Sequence, residues 1–173
     1  KPPFLALAIS GGNTMIVDVR DYTDMEILGS TRDDAAGECF DKIARVMGLG
    51  YPGGGPLDRA SQGGDDKAFT LPRVHIHDAP LDMSFSGLKT AVLNVINQCA
   101  MKGEELRTAD LAASFQFRIT DILAEKLLLA AKDTGAKTLC VAGGVAANAL
   151  LRENLTKQCK KQGIALYLPE LAF

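Results

Sequence analysis

Val141-Ala142-Gly143-Gly144-Val145-Ala146-Ala147-Asn148 stands where an apolar run gives way to a helical pattern, and its reading decides the fold. Ahead of it, Lys137 to Val141 reads as a short buried strand. Behind it, Ala147 to Gln162 reads as a helix stopped by Gly163. Two glycines at a strand-to-helix turn let the backbone approach something flat or anionic, because no Cβ stands in the way. The first turn of the following helix offers N–H groups that have no partner within the helix. A second glycine turn, Ser10-Gly11-Gly12, follows another buried strand far away in the chain. Two turns placed alike are expected to form opposite walls of one nucleotide pocket.

Working outward, three strand-like runs open the chain: Phe4 to Ser10, Thr14 to Arg20 and Met25 to Ser30. Their links, Gly11-Gly12-Asn13 and Asp21 to Asp24, are short and rich in turn formers, which predicts antiparallel hairpins. Asp33 or Asp34 is expected to cap a helix through Val46, with Cys39, Phe40, Ile43, Val46 and Met47 on one face. A glycine-rich loop, Tyr51 to Pro56, precedes a short helix from Leu57 to Ser61, and 63–83 has little periodicity. Ser86 opens a helix to about Cys99, and Asp110 a long one through Lys132 with Gly135 beyond it. Ile164 to Leu168 reads as a last strand. Strands, then helices, then strand, helix and strand predict an α/β sheet of mixed direction with helices on both faces. Phe4 to Ile9 is apolar enough to need cover on both sides.

The chain has 173 residues, 47% of them hydrophobic and 23% charged, as in an ordinary globular protein with a sizeable core. A formal charge of −2 argues against a surface dominated by attraction to nucleic acid. Four cysteines without a Cys-x-x-Cys pair or a secretory signal favour a reducing, cytoplasmic setting. No apolar run approaches a membrane span. Lys1-Pro2-Pro3 leads at once into a strand, and Leu171-Ala172-Phe173 follows directly on another; both ends read as cut from a longer protein.

Several groups of residues could carry chemistry. Ser10-Gly11-Gly12-Asn13-Thr14 is either a hairpin that needs glycine for positive φ or a phosphate cradle built from N–H groups and hydroxyls. In Asp33 to Lys42, Glu38 and Asp41 stand at i and i+3 and share a helix face; Asp41 either accepts bonds from a ribose or substrate hydroxyl, or pairs with Lys42 or Arg45. Tyr51 to Asp58 holds more glycine than a connector needs, which points to close approach to a ligand with Asp58 as a polar contact. Lys89 could meet an anion, and His75 and His77 alternate as on a strand but lack a third metal ligand. Nothing arranges a Ser-His-Asp or Cys-His nucleophile.

Ser-Gly-Gly-Asn-Thr (10–14), Asp-Asp-Ala-Ala-Gly-Glu-Cys-Phe-Asp-Lys (33–42), Gly-Tyr-Pro-Gly-Gly (50–54), the Met83 to Thr90 segment and Val-Ala-Gly-Gly-Val-Ala-Ala-Asn (141–148) come in a fixed order. Together they resemble the tRNA threonylcarbamoyladenosine transferase family, long labelled O-sialoglycoprotein endopeptidase or glycoprotease. The resemblance implies an actin-like ATPase (ribonuclease H-like) fold, with residues 1–173 as the second of its two lobes, truncated at both ends. It implies transfer of a threonylcarbamoyl group from its adenylate to the exocyclic N6 amine of the adenosine next to the anticodon. By motif position, Ala8, Ile9, Ser10, Gly11 and Gly12 would wrap the phosphate and carbamoyl region. Asp41, Gly54 and Asp58 would hold the ribose and its polar neighbours, and Asn148 would contact the nucleotide from the Gly143-Gly144 turn.

The resemblance further implies a divalent metal, iron or zinc, whose ligands in the family are a His-x-x-x-His pair and an aspartate that lie outside this chain. Implied partners are tRNA, the adenylate, and the proteins of a modification complex, including a paralogous partner and an ATPase; no membrane is involved. Asn13 stands where most members carry histidine. A non-catalytic scaffold relative is the main alternative; a small-molecule kinase or ATPase and the old glycoprotease label come after it.

Overall fold

The computed structural model describes residues 1–170, and Leu171-Ala172-Phe173 lies outside the described residues. Five strands, β1 (Phe4–Ile9), β2 (Thr14–Asp21), β3 (Asp24–Ser30), β4 (Thr138–Ala142) and β5 (Ala165–Tyr167), form one sheet in the order β3-β2-β1-β4-β5. The first three pair antiparallel, while β1–β4 and β4–β5 are parallel. The mixed sheet forms as its alternating apolar runs and hairpin links predict. The closing strand is only three residues long.

Five α-helices join the strands: α1 (Ala36–Val46), α2 (Gly54–Ser61), α3 (Ser86–Lys102), α4 (Thr108–Thr134) and α5 (Ala149–Gln162). A single 3-10 turn, Gly144–Ala147, separates β4 from α5, so that helix begins later than the pattern suggested. No described helix is long and apolar enough to cross a membrane.

One core holds the molecule together. Leu5, Leu7 and Ile9 of β1, Ile16 of β2, and Leu139 and Val141 of β4 are at most 2% exposed and pack with buried residues from all five helices. The two parallel crossovers move the same way across the sheet, and right-handed connections then put α4 and α5 on the same side. Phe4, Ala6 and Ala8, with Val17 and Met15 opposite them, point the other way and stay half-buried. On β3, Ile27 beside Val17 and Met25 beside the buried Val19 are 60% and 58% exposed. The helices therefore cover one face, not the expected two. Periodicity along β1 shows that both sets of residues are apolar, but not which set the chain buries.

Two helices, α1 and α3, take their caps from remote residues, which the sequence reading did not show. Ala35 precedes α1 without a side-chain cap, and the first N–H of the helix, on Ala36, donates to the buried Thr14 Oγ1 at 2.8 Å. Asp33 instead serves the start of α3. Its carboxylate accepts from the Phe85 and Ser86 N–H groups and from the Ser84 and Ser86 hydroxyls. Asp110 sits in the first turn of α4, where it accepts from the Asp65 N–H and fastens the start of the 62–83 excursion. Further along that excursion, Arg73 pairs with Asp121 and Glu125 of α4.

Asp33 makes a pH-dependent clamp. Burial opposes its charge, but the four donors outweigh burial and hold its pKa below the ordinary carboxylate value. A depressed folded-state pKa means stabilisation that is present above the unfolded-state value and lost as pH falls through the folded one. Between about pH 5 and pH 3, the unfolding midpoint of Asp33→Asn is therefore expected to drop less than that of the wild type. Urea melts at both pH values measure this, and equal drops would refute the clamp.

Candidate functional site

Three glycines bring remote segments together. A Cβ on Gly37 of α1 would lie 2.6 Å from the Ser10 carbonyl oxygen, and one on Gly53 would lie 2.4 Å from that of Phe40. At Gly143 φ is +99°, and a Cβ would lie 2.2 Å from the Ile9 carbonyl oxygen. The β1–β2 turn, α1, the start of α2 and the β4–α5 turn can meet only because these positions lack side chains. Where they meet is a cavity of about 430 Å³, lined by Gly11, Asp41, Gly54, Asp58, Gly144 and Asn148, with Phe40, Pro52 and Val145 among the others.

A second set of glycines has a different character. Gly11, Gly54 and Gly144 line the cavity, have no left-handed φ, and would meet no heavy atom within 4 Å if they carried a Cβ. Neither backbone strain nor packing among the described residues accounts for them. Bare backbone facing empty space is what a ligand pressed against the chain requires.

Gly11 and Gly12 do sit in the β1–β2 hairpin, but neither adopts positive φ, so the need for that conformation does not account for them. Ser10 closes that turn alone: its N–H donates to the Asn13 carbonyl at 2.8 Å, and its Oγ accepts from the Gly12 and Asn13 N–H groups. The cradle is correspondingly smaller than the sequence implied. Among the described residues no hydrogen bond engages the N–H groups of Gly11, Gly144 and Val145, or of Gly54 and Gly55 at the start of α2. The N-terminus of α2 and the β4–α5 turn thus converge on one cavity with their donors unused, an arrangement that favours an anion.

The acidic residues divide. Asp41 Oδ1 accepts from the Gly53 N–H at 2.7 Å, which fixes the loop and leaves the second oxygen to the cavity. It pairs with neither Lys42 nor Arg45, because Lys42 is held by Asp34 at 2.7 Å and Glu38 at 2.8 Å. Glu38 is turned to Lys42, so the shared ligand face foreseen for Glu38 and Asp41 does not form. Asp58 is exposed on the cavity wall with no side-chain partner.

Asn148 lines the cavity and also caps α5, its Oδ1 accepting from the Leu151 N–H at 3.0 Å. Its nitrogen donates to Gln116 Oε1 at 2.7 Å. Gln116 of α4, 3% exposed, is the residue the sequence reading missed. A polar residue inside an apolar helical stripe, next to Phe115, was the available signal. Of the other anticipated residues, Ile9 is a core side chain and does not line the cavity. Ala8, Ser10, Gly12 and Gly143 shape the turns from outside the cavity lining.

The remaining candidates stay apart from the cavity. Cys39 is buried, and burial, helped by Asp34 and Asp33, pushes its thiol pKa up to about 12, too high for a nucleophile. His75 and His77 are exposed on irregular chain. Lys89 is half-buried on α3 and does not line the cavity. Among the described residues no three His, Cys, Asp or Glu side chains are grouped to hold a metal ion. The ligands of the iron or zinc that the resemblance implies are placed outside this chain.

The family model described as tRNA N6-adenosine threonylcarbamoyltransferase matches residues 1–173. Proteins with that name from Clostridium botulinum (strain 657 / Type Ba4), Clostridium beijerinckii and Clostridium perfringens are 53%, 50% and 48% identical over 169 residues. Each alignment takes in 98% of this chain and 50% of the relative, so the chain spans about half the length of the curated relatives it matches. Among solved structures, full-length HypF in its phosphate- and nucleotide-bound form superposes with a TM-score of 0.72 at 14% identity, over 96% of this chain and 36% of that one. The activator of 2-hydroxyisocaproyl-CoA dehydratase from Clostridium difficile, with bound ADPNP, gives 0.51 at 16% identity, over 97% and 54%. These likenesses show the actin-like ATPase fold. A family match over its whole length and identity near one half to the curated relatives establish that this chain belongs to the tRNA N6-adenosine threonylcarbamoyltransferase family.

Proposed function

We propose that residues 1–173 form the nucleotide-holding lobe of a two-lobed enzyme that moves a threonylcarbamoyl group from its adenylate to the N6 amine of the tRNA adenosine beside the anticodon. In that transfer the amine nitrogen forms a bond to the carbamoyl carbon, the bond from that carbon to the phosphate oxygen breaks, AMP leaves, and the proton displaced from the amine is released to water. The observation that carries the reading is the set of glycines, Gly11, Gly54 and Gly144, that face empty space without strain or crowding. Nucleotide in two proteins of the same fold is consistent with it.

Each residue then has a task. The unused N–H groups of Gly11, Gly144 and Val145, donors of the two turns, hold the phosphate. Asp58 and the second oxygen of Asp41 accept from ribose hydroxyls, and Gly54 lets the sugar lie against α2. Asn148 adds a side-chain contact, while Ala8, Ile9, Ser10, Gly12 and Gly143 set the shape of the two turns. The acceptor tRNA, the partner proteins (a paralogue and an ATPase), the iron or zinc, and a cytoplasmic setting belong to the same proposal.

The test is transfer of threonylcarbamoyl to unmodified tRNA by the longest polypeptide the gene encodes, supplied with its partners. Asp41→Ala and Asn148→Ala are each expected to lower the rate by about 100-fold, as loss of a charge-assisted contact does. Both residues also hold structure, and removing the Asn148 cap costs about 1 kcal/mol, so each variant is melted to show that it stays folded at the assay temperature. Activity that survives both substitutions would overturn the assignment.

A further inference from the structure

A chain of hydrogen bonds runs behind the cavity from α5 to α2, and all of its links point the same way. The Leu151 N–H donates to Asn148 Oδ1 at 3.0 Å, and Asn148 Nδ2 donates to Gln116 Oε1 at 2.7 Å. Gln116 Nε2 donates to Ser61 Oγ at 2.7 Å and to the Leu57 carbonyl at 3.4 Å. Ser61 Oγ donates in turn to the Asp58 carbonyl at 2.8 Å.

Carboxamide orientation is ordinarily a matter of inference, because oxygen and nitrogen look alike. Here the backbone at both ends settles it. The Leu151 N–H is only a donor, so it must meet the oxygen of Asn148. The Leu57 carbonyl is only an acceptor, so it must meet the nitrogen of Gln116. The two anchors require the same polarity, and Gln116, almost wholly buried, has no water with which to exchange it.

We propose that Gln116 is a positioning residue that locks the Asn148 carboxamide and makes Asn148 a hydrogen-bond donor to the ligand. The nitrogen of Asn148 carries two protons. Gln116 takes one, and no described protein group accepts the other. Asn148 lines a cavity whose charged side chains, Asp41 and Asp58, only accept while ionised. Asn148 therefore selects an acceptor atom of the ligand, such as a ring nitrogen, a ribose oxygen or a phosphate oxygen, while the aspartates select hydroxyls. The ligand assignment within this proposal rests on the nucleotide reading above.

The experiment uses the longest polypeptide the gene encodes, labelled with 15N-asparagine, and AMP as the probe. Wild type is compared with Gln116→Met, Asn148→Ala and the double variant. One Asn148 carboxamide proton is expected to exchange slowly in the wild type, and both quickly in Gln116→Met. AMP affinity should fall about tenfold in Gln116→Met, and the double variant should bind no more weakly than Asn148→Ala alone. Glutamine acting only as a structural prop would make the two losses multiply. Multiplying losses, or fast exchange of both protons in the wild type, would overturn the proposal. Slow exchange in a wild type that binds no AMP supports the lock and refutes the nucleotide reading instead.

Discussion

Gly143→Ala is expected to lower the free energy of unfolding by about 3–5 kcal/mol, a large share of the stability of an ordinary domain. At φ +99° and ψ 172° the residue occupies backbone space that is essentially reserved for glycine. Its new methyl group would also lie 2.2 Å from the Ile9 carbonyl oxygen. β1 and β4 are adjacent parallel strands, so the turn cannot back away without disturbing the bonds between them. Gly144→Ala, one residue on, meets open space in a helical turn and is expected to be neutral within about 1 kcal/mol. Urea melts of the two variants make the comparison. Equal midpoints would mean that Gly143 is not under strain.

The converse substitutions separate binding from folding. Gly144→Leu and Gly54→Leu each put a side chain into a cavity of about 430 Å³ from a helical position with free space around it. Both variants are expected to melt within about 1 kcal/mol of wild type, since leucine suits a helix better than glycine. Both are expected to lose about 100-fold or more in AMP affinity, because occupied volume cannot be shared. Calorimetric titration at constant temperature reads the affinity. Two leucine variants that bind as the wild type does would place the ligand elsewhere.

Side-chain period and turn chemistry made most of the fold legible. The apolar runs of β1 and β2, the short hairpin links, and the apolar stripe of α4 from Leu111 to Leu127 each announce one element locally. Contacts between remote residues were not legible. Thr14 caps a helix that starts 22 residues later, and Asp33 caps one more than 50 residues away, so each looked in sequence like a turn residue or a local cap. The site shows the same limit in its paired glycines. Gly53 and Gly143 are required by neighbouring backbone, while Gly54 and Gly144 beside them face open space. Sequence marks all four as bare backbone, and only coordinates distinguish those that bring the walls together from those that leave room between them. Gln116 escaped notice because its partners, Ser61 and Asn148, lie 55 and 32 residues away.

The sheet's half-exposed side has a practical consequence. Ile27, Val17, Ala6 and Cys140 lie in register across four hydrogen-bonded strands and form a continuous greasy band. A formal charge of −2 supplies little repulsion to keep two such bands apart in solution. Association of one copy with another through that band is therefore expected to limit how concentrated a preparation of this chain can become.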